Sequence, residues 1–226
     1  MEPPVHHVGL PRALRIIPSR YPPVGIFDTV ANAEDLEATF HVEGMTNERL
    51  RAEVGDLRLV PQAEWLTGPG TTPIMSAFTH MNPSGSRFSD GTYGVYYAAG
   101  DEETAIAEAR HGRERFMRLS GEPAQRLEMR MYAGAIEGNF HDLRGLTADF
   151  PGILVPDSYT ASQAFARTLR AGGSAGIVYE SVRRTGGECV ACFKTAVIRP
   201  VVQAKHFYFL WDGNVITDIM QVARAA

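Results

Sequence analysis

Hydrophobic and polar positions alternate most regularly between Arg126 and Ala135, with Leu127, Met129, Met131, Ala133 and Ala135 on one face and Arg126, Glu128, Arg130 and Tyr132 on the other. That period of two predicts a half-buried strand. Upstream, Gly94 to Ala99 has the aromatic and β-branched content of a short strand, framed by turn residues Gly85, Asp90, Gly91 and Gly100. A helix is predicted immediately after it, capped by Asp101, with Ala105, Ala109, Gly112, Phe116 and Leu119 as a buried stripe. At ~100° per residue Glu108 lies about 60° from Ala105, at the edge of that stripe, where a carboxylate can face a cleft.

Toward the C-terminus, Thr160 to Ala171 reads as a helix with Ala161, Phe165 and Leu169 inward and Gly172-Gly173 closing it. Strands follow at Gly176 to Val182, Val190 to Ile198 and a hairpin of His206 to Trp211 with Asn214 to Ile219 around an Asp212-Gly213 turn. Before the middle stretch, Arg15 to Pro23 carries three prolines and predicts a rigid, irregular extended lead-in. Asp28 to Ala38 and Thr46 to Val54 read as helices, and Gly68 to Pro73 as the turn that ends this preamble. The expected architecture is a single α+β domain over 1–226, a mostly antiparallel sheet with interspersed helices. Residues 1–60 form a helical preamble and 61–226 the core.

Composition narrows the functional classes. Of 226 residues, 22 are Lys or Arg and 26 Asp or Glu, a net charge of −4, so no overall field favours a polyanion, and nucleic acid is not expected as a direct partner. Met1 to Leu14 has no long apolar run, so no signal peptide or membrane anchor is expected, and two cysteines fit a reducing cytoplasm. No Gly-rich phosphate loop precedes a helix. Cys189 and Cys192 have the spacing of half a zinc or redox pair, but within a strand they point to opposite faces, and the seven histidines show no metal-ligand spacing. No metal is expected.

What remains is Arg, Tyr, Glu and Ser in three separated patches. Arg15-Ile-Ile-Pro-Ser-Arg-Tyr-Pro-Pro23 is the first. The second runs from Ser86-Arg87-Phe88-Ser89-Asp90-Gly91 through Gly94-Val95-Tyr96-Tyr97-Ala98-Ala99 to Glu108, and the third is Gly176-Ile-Val-Tyr-Glu-Ser181-Val-Arg183 with Gly186-Gly187 after it. Together they resemble the RES-domain toxins of RES–Xre toxin–antitoxin pairs, in particular the longer, ParT-like members. The departures are Phe88, where shorter members have Trp, and Glu188-Cys189, where they have an Asn soon after the later Gly-Gly.

The resemblance implies a fold similar to ADP-ribosyltransferase toxins and NAD as a consumed substrate. The activity it implies is transfer of ADP-ribose to a cellular protein, or alternatively hydrolysis or phosphorolysis that depletes NAD. It places the family's Arg, Tyr, Glu and Ser on Arg87, Tyr97, Glu108 and Ser181, with the first arginine at Arg15 or Arg20. The chemistry suits those residue types. Glu108 can support an oxocarbenium-like transition state through charge and a hydrogen bond to a ribose hydroxyl. Arg87 with Arg15 or Arg20 can grip the diphosphate, Tyr97 can stack on nicotinamide, and Ser181 can bind substrate or orient Glu108. The resemblance further implies an Xre-type antitoxin covering the cleft.

Overall fold

The computed structural model describes residues 2–19, 25–30, 32, 34 and 55–223. The helix expected at Thr46 to Val54, Arg20, and most of the helix expected at Asp28 to Ala38 lie outside the described residues. Seven strands, β1 (Val5–Pro18), β2 (Tyr96–Ala99), β3 (Gln125–Asp142), β4 (Gly176–Glu180), β5 (Glu188–Cys192), β6 (Val202–Trp211) and β7 (Ile216–Val222), share one sheet with α1 (Ile26–Thr29), α2 (Thr72–Thr79), α3 (Glu102–Ser120) and α4 (Thr160–Ala171) around it. The protein is α+β, and every strand pairing is antiparallel except the short β3–β4 contact.

The pairings close on themselves. β1 pairs with β2, β2 with β5, β5 with β4, β4 with β3, and β3 returns to β1, while β6 and β7 extend from the first half of β3. Residues 5–18, which fall in the expected helical preamble and overlap the irregular lead-in expected from Arg15 to Pro23, are thus a full member of the sheet, matched to β3 from Val5↔His141 to Pro18↔Met129. Proline is tolerated because Pro11 falls at the register shift between Leu10 and Ala13 and Pro18 ends the strand.

β3 explains why two cores coexist. Its alternation persists for 18 residues, but the covered face changes along it. Met129 and Met131 enter one core with Phe207, Phe209 and Trp211, whereas Tyr132, Ile136 and Phe140 enter the other on the opposite face, with Phe27, Ile74 and Tyr96. Tyr132, expected on the outward face, is therefore buried. Cys189 and Cys192 fall into different cores as free thiols, as three-residue spacing in a strand dictates. In α4 the inward residues are Ser162, Ala166 and Leu169, with Phe165 half-buried and Ala161 exposed, so the buried face is rotated from the expected one. β5 ends at Cys192, because the chain turns into a 3-10 helix at Thr195–Val197, pinned by Thr195 Oγ1 donating to Glu64 O at 2.5 Å.

Two contacts hold the frame around the later site. Asp28 Oδ1 accepts from the backbone N–H groups of Thr71 and Thr72 and from the Thr72 hydroxyl, capping α2 from a distant segment. Where the ring closes, Asp142 at the end of β3 accepts from Arg144 Nη2 at 2.7 Å and lies 3.1 Å from His6 Nδ1 of β1, while Arg144 reaches Glu188 of β5. Burial pushes the Asp142 carboxyl up, but the hydrogen bonds from Arg144 and His6 outweigh it and hold the group at about 2.

A depressed carboxyl contributes stability above the unfolded pKa and loses it as pH falls through the folded one. Asp142→Asn is therefore expected to cost on the order of 1 kcal/mol at neutral pH, allowing for solvent screening at the half-exposed Arg144. The difference from wild type should vanish between about pH 4 and pH 2 in denaturant titrations. At Gly94 a Cβ would stand 2.3 Å from Ala77 O and 2.4 Å from Phe78 Cα of α2. Gly94→Ala should force that helix away and cost about 1–3 kcal/mol, read from the denaturation midpoint.

Candidate active site

β1 and β2 are joined by a single register pair, Leu14↔Ala99. Beyond it the strands part, and the opening is a cleft of about 580 Å³ floored by residues 14–18 of β1 and 97–99 of β2, with α3 as one wall and residues between Asn82 and Ser89 at the rim. Arg15 spans the gap, Nη1 donating to Tyr97 O at 3.0 Å with the guanidinium 4.7 Å over the Tyr96 ring. Burial lowers the Arg15 pKa, the phenol oxygens of Tyr96 and Tyr97 opposing it, and its Nε is buried without a hydrogen-bond partner. The aromatic seat at Tyr96 is a feature sequence reasoning missed, although its place beside Tyr97 was visible.

Glu108 lines this cleft from α3. Asp101 caps the helix as expected, its carboxylate accepting from Thr104 N at 2.9 Å, which fixes where the second turn presents Glu108. Ser181, just past β4, donates from Oγ to Glu108 Oε1 at 2.6 Å while the same oxygen accepts from the N–H groups of Arg183 and Arg184. The hydroxyl is thereby fixed in direction and fully engaged. Cys189 Sγ lies 3.8 Å from Glu108 Oε1, and burial, then the carboxylate's charge, pushes that thiol pKa up, so it stays protonated beside Glu108.

Tyr97 also lines the cleft. Its hydroxyl meets Ser86 Oγ at 2.8 Å and accepts from Phe88 N at 2.9 Å, which locks the ring's orientation, and burial raises its pKa. Arg87, expected to grip a diphosphate, has part of its guanidinium engaged within the protein. It lines the cleft but Nη1 donates to the carbonyls of Ile153 and Val155 at 3.3 and 2.9 Å, and its guanidinium lies 4.8 Å from the Tyr159 ring. Arg115 approaches the same ring at 5.0 Å. Arg183 donates to Pro156 O and to His111 Nε2, the latter at 2.7 Å. Burial, then the neighbouring Arg183 charge, lowers the His111 pKa to about 4, so the imidazole is neutral at pH 7, and with Nε2 accepting, its proton sits on Nδ1. Residues 153–159 are in this way held by two arginines, with Tyr159 lining the cleft.

The α3 stripe departs from expectation in its second half. Ala105 is buried, but Phe116 is 46% exposed and Leu119 65%, and both line the cleft instead of the core, while Met117 and Thr104 are the buried residues. The structure thus gathers Arg15, Arg87, Tyr97 and Glu108 on one cleft, with Ser181 touching it through Glu108, and adds Arg113, which the sequence analysis did not single out, and Phe116, which it placed in the buried stripe. Among the described residues no group of three or more His, Cys, Asp or Glu is placed to hold a metal ion, and no helix is long and apolar enough to cross a membrane.

Comparison with known proteins places the chain in a family. The RES domain matches residues 57–212. The chain belongs to the RES-domain family. That match contains Arg87, Tyr97, Glu108 and Ser181, and Arg15 precedes it. A Sinorhizobium fredii (strain NBRC 101917 / NGR234) protein described as uncharacterized protein y4oC is 28% identical over 210 residues, 90% of this chain and 84% of its own length. Among solved structures, a chain of the M. tuberculosis MbcT–MbcA toxin–antitoxin complex is similar with a TM-score of 0.40 and 14% identity, over 57% of this chain and 73% of that one.

If Arg87 holds the 153–159 segment, Arg87→Gln should free it. Backbone amides there are expected to exchange about tenfold or more faster, with α4 protection unchanged, and equal exchange in both proteins would contradict that hold.

Proposed function

We propose that this chain is the toxin of a toxin–antitoxin pair and that its cleft consumes NAD, transferring ADP-ribose to a cellular protein. The observation that carries the reading is the Ser181–Glu108 contact on the cleft wall, opposite Arg15 and beside the locked Tyr97. Membership of the RES family and the order of these residues support it.

The chemistry follows from the geometry. The bond between nicotinamide nitrogen and ribose C1′ breaks with its electron pair going to the nicotinamide, which becomes neutral, while positive charge spreads over C1′ and the ring oxygen. Glu108, its Oε1 fixed by the Ser181 hydroxyl, faces that charge and accepts from a ribose hydroxyl through Oε2. The acceptor's nucleophile then bonds to C1′ and loses its proton to Glu108 or solvent. Ser181 is not a covalent nucleophile, because its proton is given to Glu108 and its oxygen accepts two backbone N–H groups. Tyr97, with its hydroxyl tied to Ser86 and Phe88, offers a fixed ring to stack on nicotinamide. An antitoxin of Xre type that covers this cleft completes the proposal, with the cytoplasm as the place of action.

The test is incubation of the purified chain and Glu108→Gln with NAD labelled in its adenylate half, together with cell lysate. Label on a protein band, lost in the variant, is the expected result, with NAD loss falling at least ~100-fold in Glu108→Gln and about tenfold in Ser181→Ala. Label appearing only as free ADP-ribose or its phosphorylated form would replace transfer by NAD depletion. Unchanged NAD would overturn both.

A further inference from the structure

The reaction proposed above uses Ser181 and leaves two groups beside it without a role. Along β4 the period of two puts Tyr179 on the same face as Ser181, and the Ser181 N–H bond to Gly187 O carries that alternation one residue past the strand. The β4–β5 register sets Cys189 directly opposite Tyr179, and the β2–β5 register sets it opposite Ala99. Cys189 therefore stands between β2 and β4 on the cleft floor, beside Glu108. It lies in the Glu188-Cys189 stretch by which the chain departs from the shorter RES members.

Both side chains are enclosed, Cys189 at 2% exposure and Tyr179 at 4%. The Tyr179 ring is fixed edge-on to Phe88 with centroids 5.0 Å apart. Among the described residues its hydroxyl has no oxygen or nitrogen partner, and the Cys189 sulfur is its hydrogen-bonding neighbour. Burial pushes the phenol pKa well up, so the hydroxyl keeps its proton to give. The other charged or titratable groups around Tyr179 are Glu108, Tyr97 and Arg87. Of these, the Tyr97 hydroxyl is committed to Ser86 and Phe88, and Arg87 Nη1 to the carbonyls of Ile153 and Val155.

The two oxygens of Glu108 are treated unequally. Oε1 meets the Ser181 hydroxyl at 2.6 Å and the Cys189 thiol at 3.8 Å, while Oε2 has no donor among the described residues. A thiol is a weak donor, and the carboxylate is the charged acceptor within its reach. A hydrogen bond received by the sulfur polarises the S–H further toward that acceptor.

We propose that Cys189 and Tyr179 are positioning residues for Glu108. The Tyr179 hydroxyl donates to the Cys189 sulfur, the thiol proton is thereby turned toward Glu108 Oε1, and Ser181 and Cys189 together hold that oxygen so that Oε2 is the one presented to the substrate. No bond to sulfur forms or breaks. The part played in turnover rests on the NAD-consuming reading, but the contact itself does not.

The contact is read from the S–H stretching band in infrared spectra of the full chain, with Cys189→Val removing the Cys189 band and leaving that of Cys192. The Cys189 band should move to higher frequency in Glu108→Leu and by a smaller amount in Tyr179→Phe. In turnover, Cys189→Val keeps an apolar side chain without the donor. It should lower kcat for NAD about fivefold at nearly constant KM and move the acid limb of the kcat profile up by about half a unit, because an anion with fewer donors is harder to form. Cys189→Asn, whose amide nitrogen stands further from Cβ than a sulfur does and can close the gap to Oε1, should restore both toward wild type. Tyr179→Phe should cost about twofold in kcat in the wild-type background and nothing further in Cys189→Val, as expected of a group acting through the thiol. Thermal melts check folding. A Cys189 band unmoved by Glu108→Leu, the same acid limb in wild type and Cys189→Val, or a natively melting Cys189→Asn as impaired as Cys189→Val would overturn the proposal. A band that shifts in Glu108→Leu, in a chain that leaves NAD intact, would support the positioning contact and overturn the NAD-consuming reading.

Discussion

The site depends on a sheet that fails to zip. β1 and β2 share one residue pair, and everything proposed for the cleft follows from their separation after Leu14↔Ala99. Separating two strands exposes backbone groups that need partners. Here the Arg15 side chain supplies one to Tyr97 O across the opening, and the Tyr96 face seats its charge. The gap can remain open because the two strands are held on their other sides, β1 by its long ladder to β3 and β2 by β5.

Around that opening, local structure and long-range contacts divide the work. Asp101 and the α3 repeat fix the height of Glu108 from within one helix. Its orientation comes from Ser181, seventy-three residues away in sequence, at the end of a strand buried in the ring. The rim is held by Arg87, and the cap on α2 by Asp28 from another part of the chain. Polar contacts with well-defined donors and acceptors thus carry the geometry of the site, while the two apolar cores fix where the strands lie.

Much of this was legible in the sequence and some was not, for identifiable reasons. α3, α4, the start of β3 and the Asp212-Gly213 hairpin follow from periodicity and caps, which act over a few residues. β1 was hidden by its prolines, which signal irregularity but are harmless at a register shift and a strand end. The exposure of Phe116 and Leu119 could not be read from the α3 stripe, since an apolar face lining a cleft has the same period as one lining a core. Glu108, Tyr97, Arg15 and Arg87 were named from the resemblance, and the structure places them on one cleft; that Arg87 turns to carbonyls of residues 153–155 depends on a loop folding back from sixty-six residues away.

The ring of pairings also bears on self-association. β3 and β5 are paired on both sides for much of their length, whereas β7 is a border strand, and its sequence Ile-Thr-Asp-Ile-Met-Gln-Val places an aspartate and polar neighbours along it. An exposed charge on an edge strand makes it a poor template for a further strand. The same sheet that opens a reactive groove therefore ends in a strand whose exposed charge disfavours backbone pairing with a second copy.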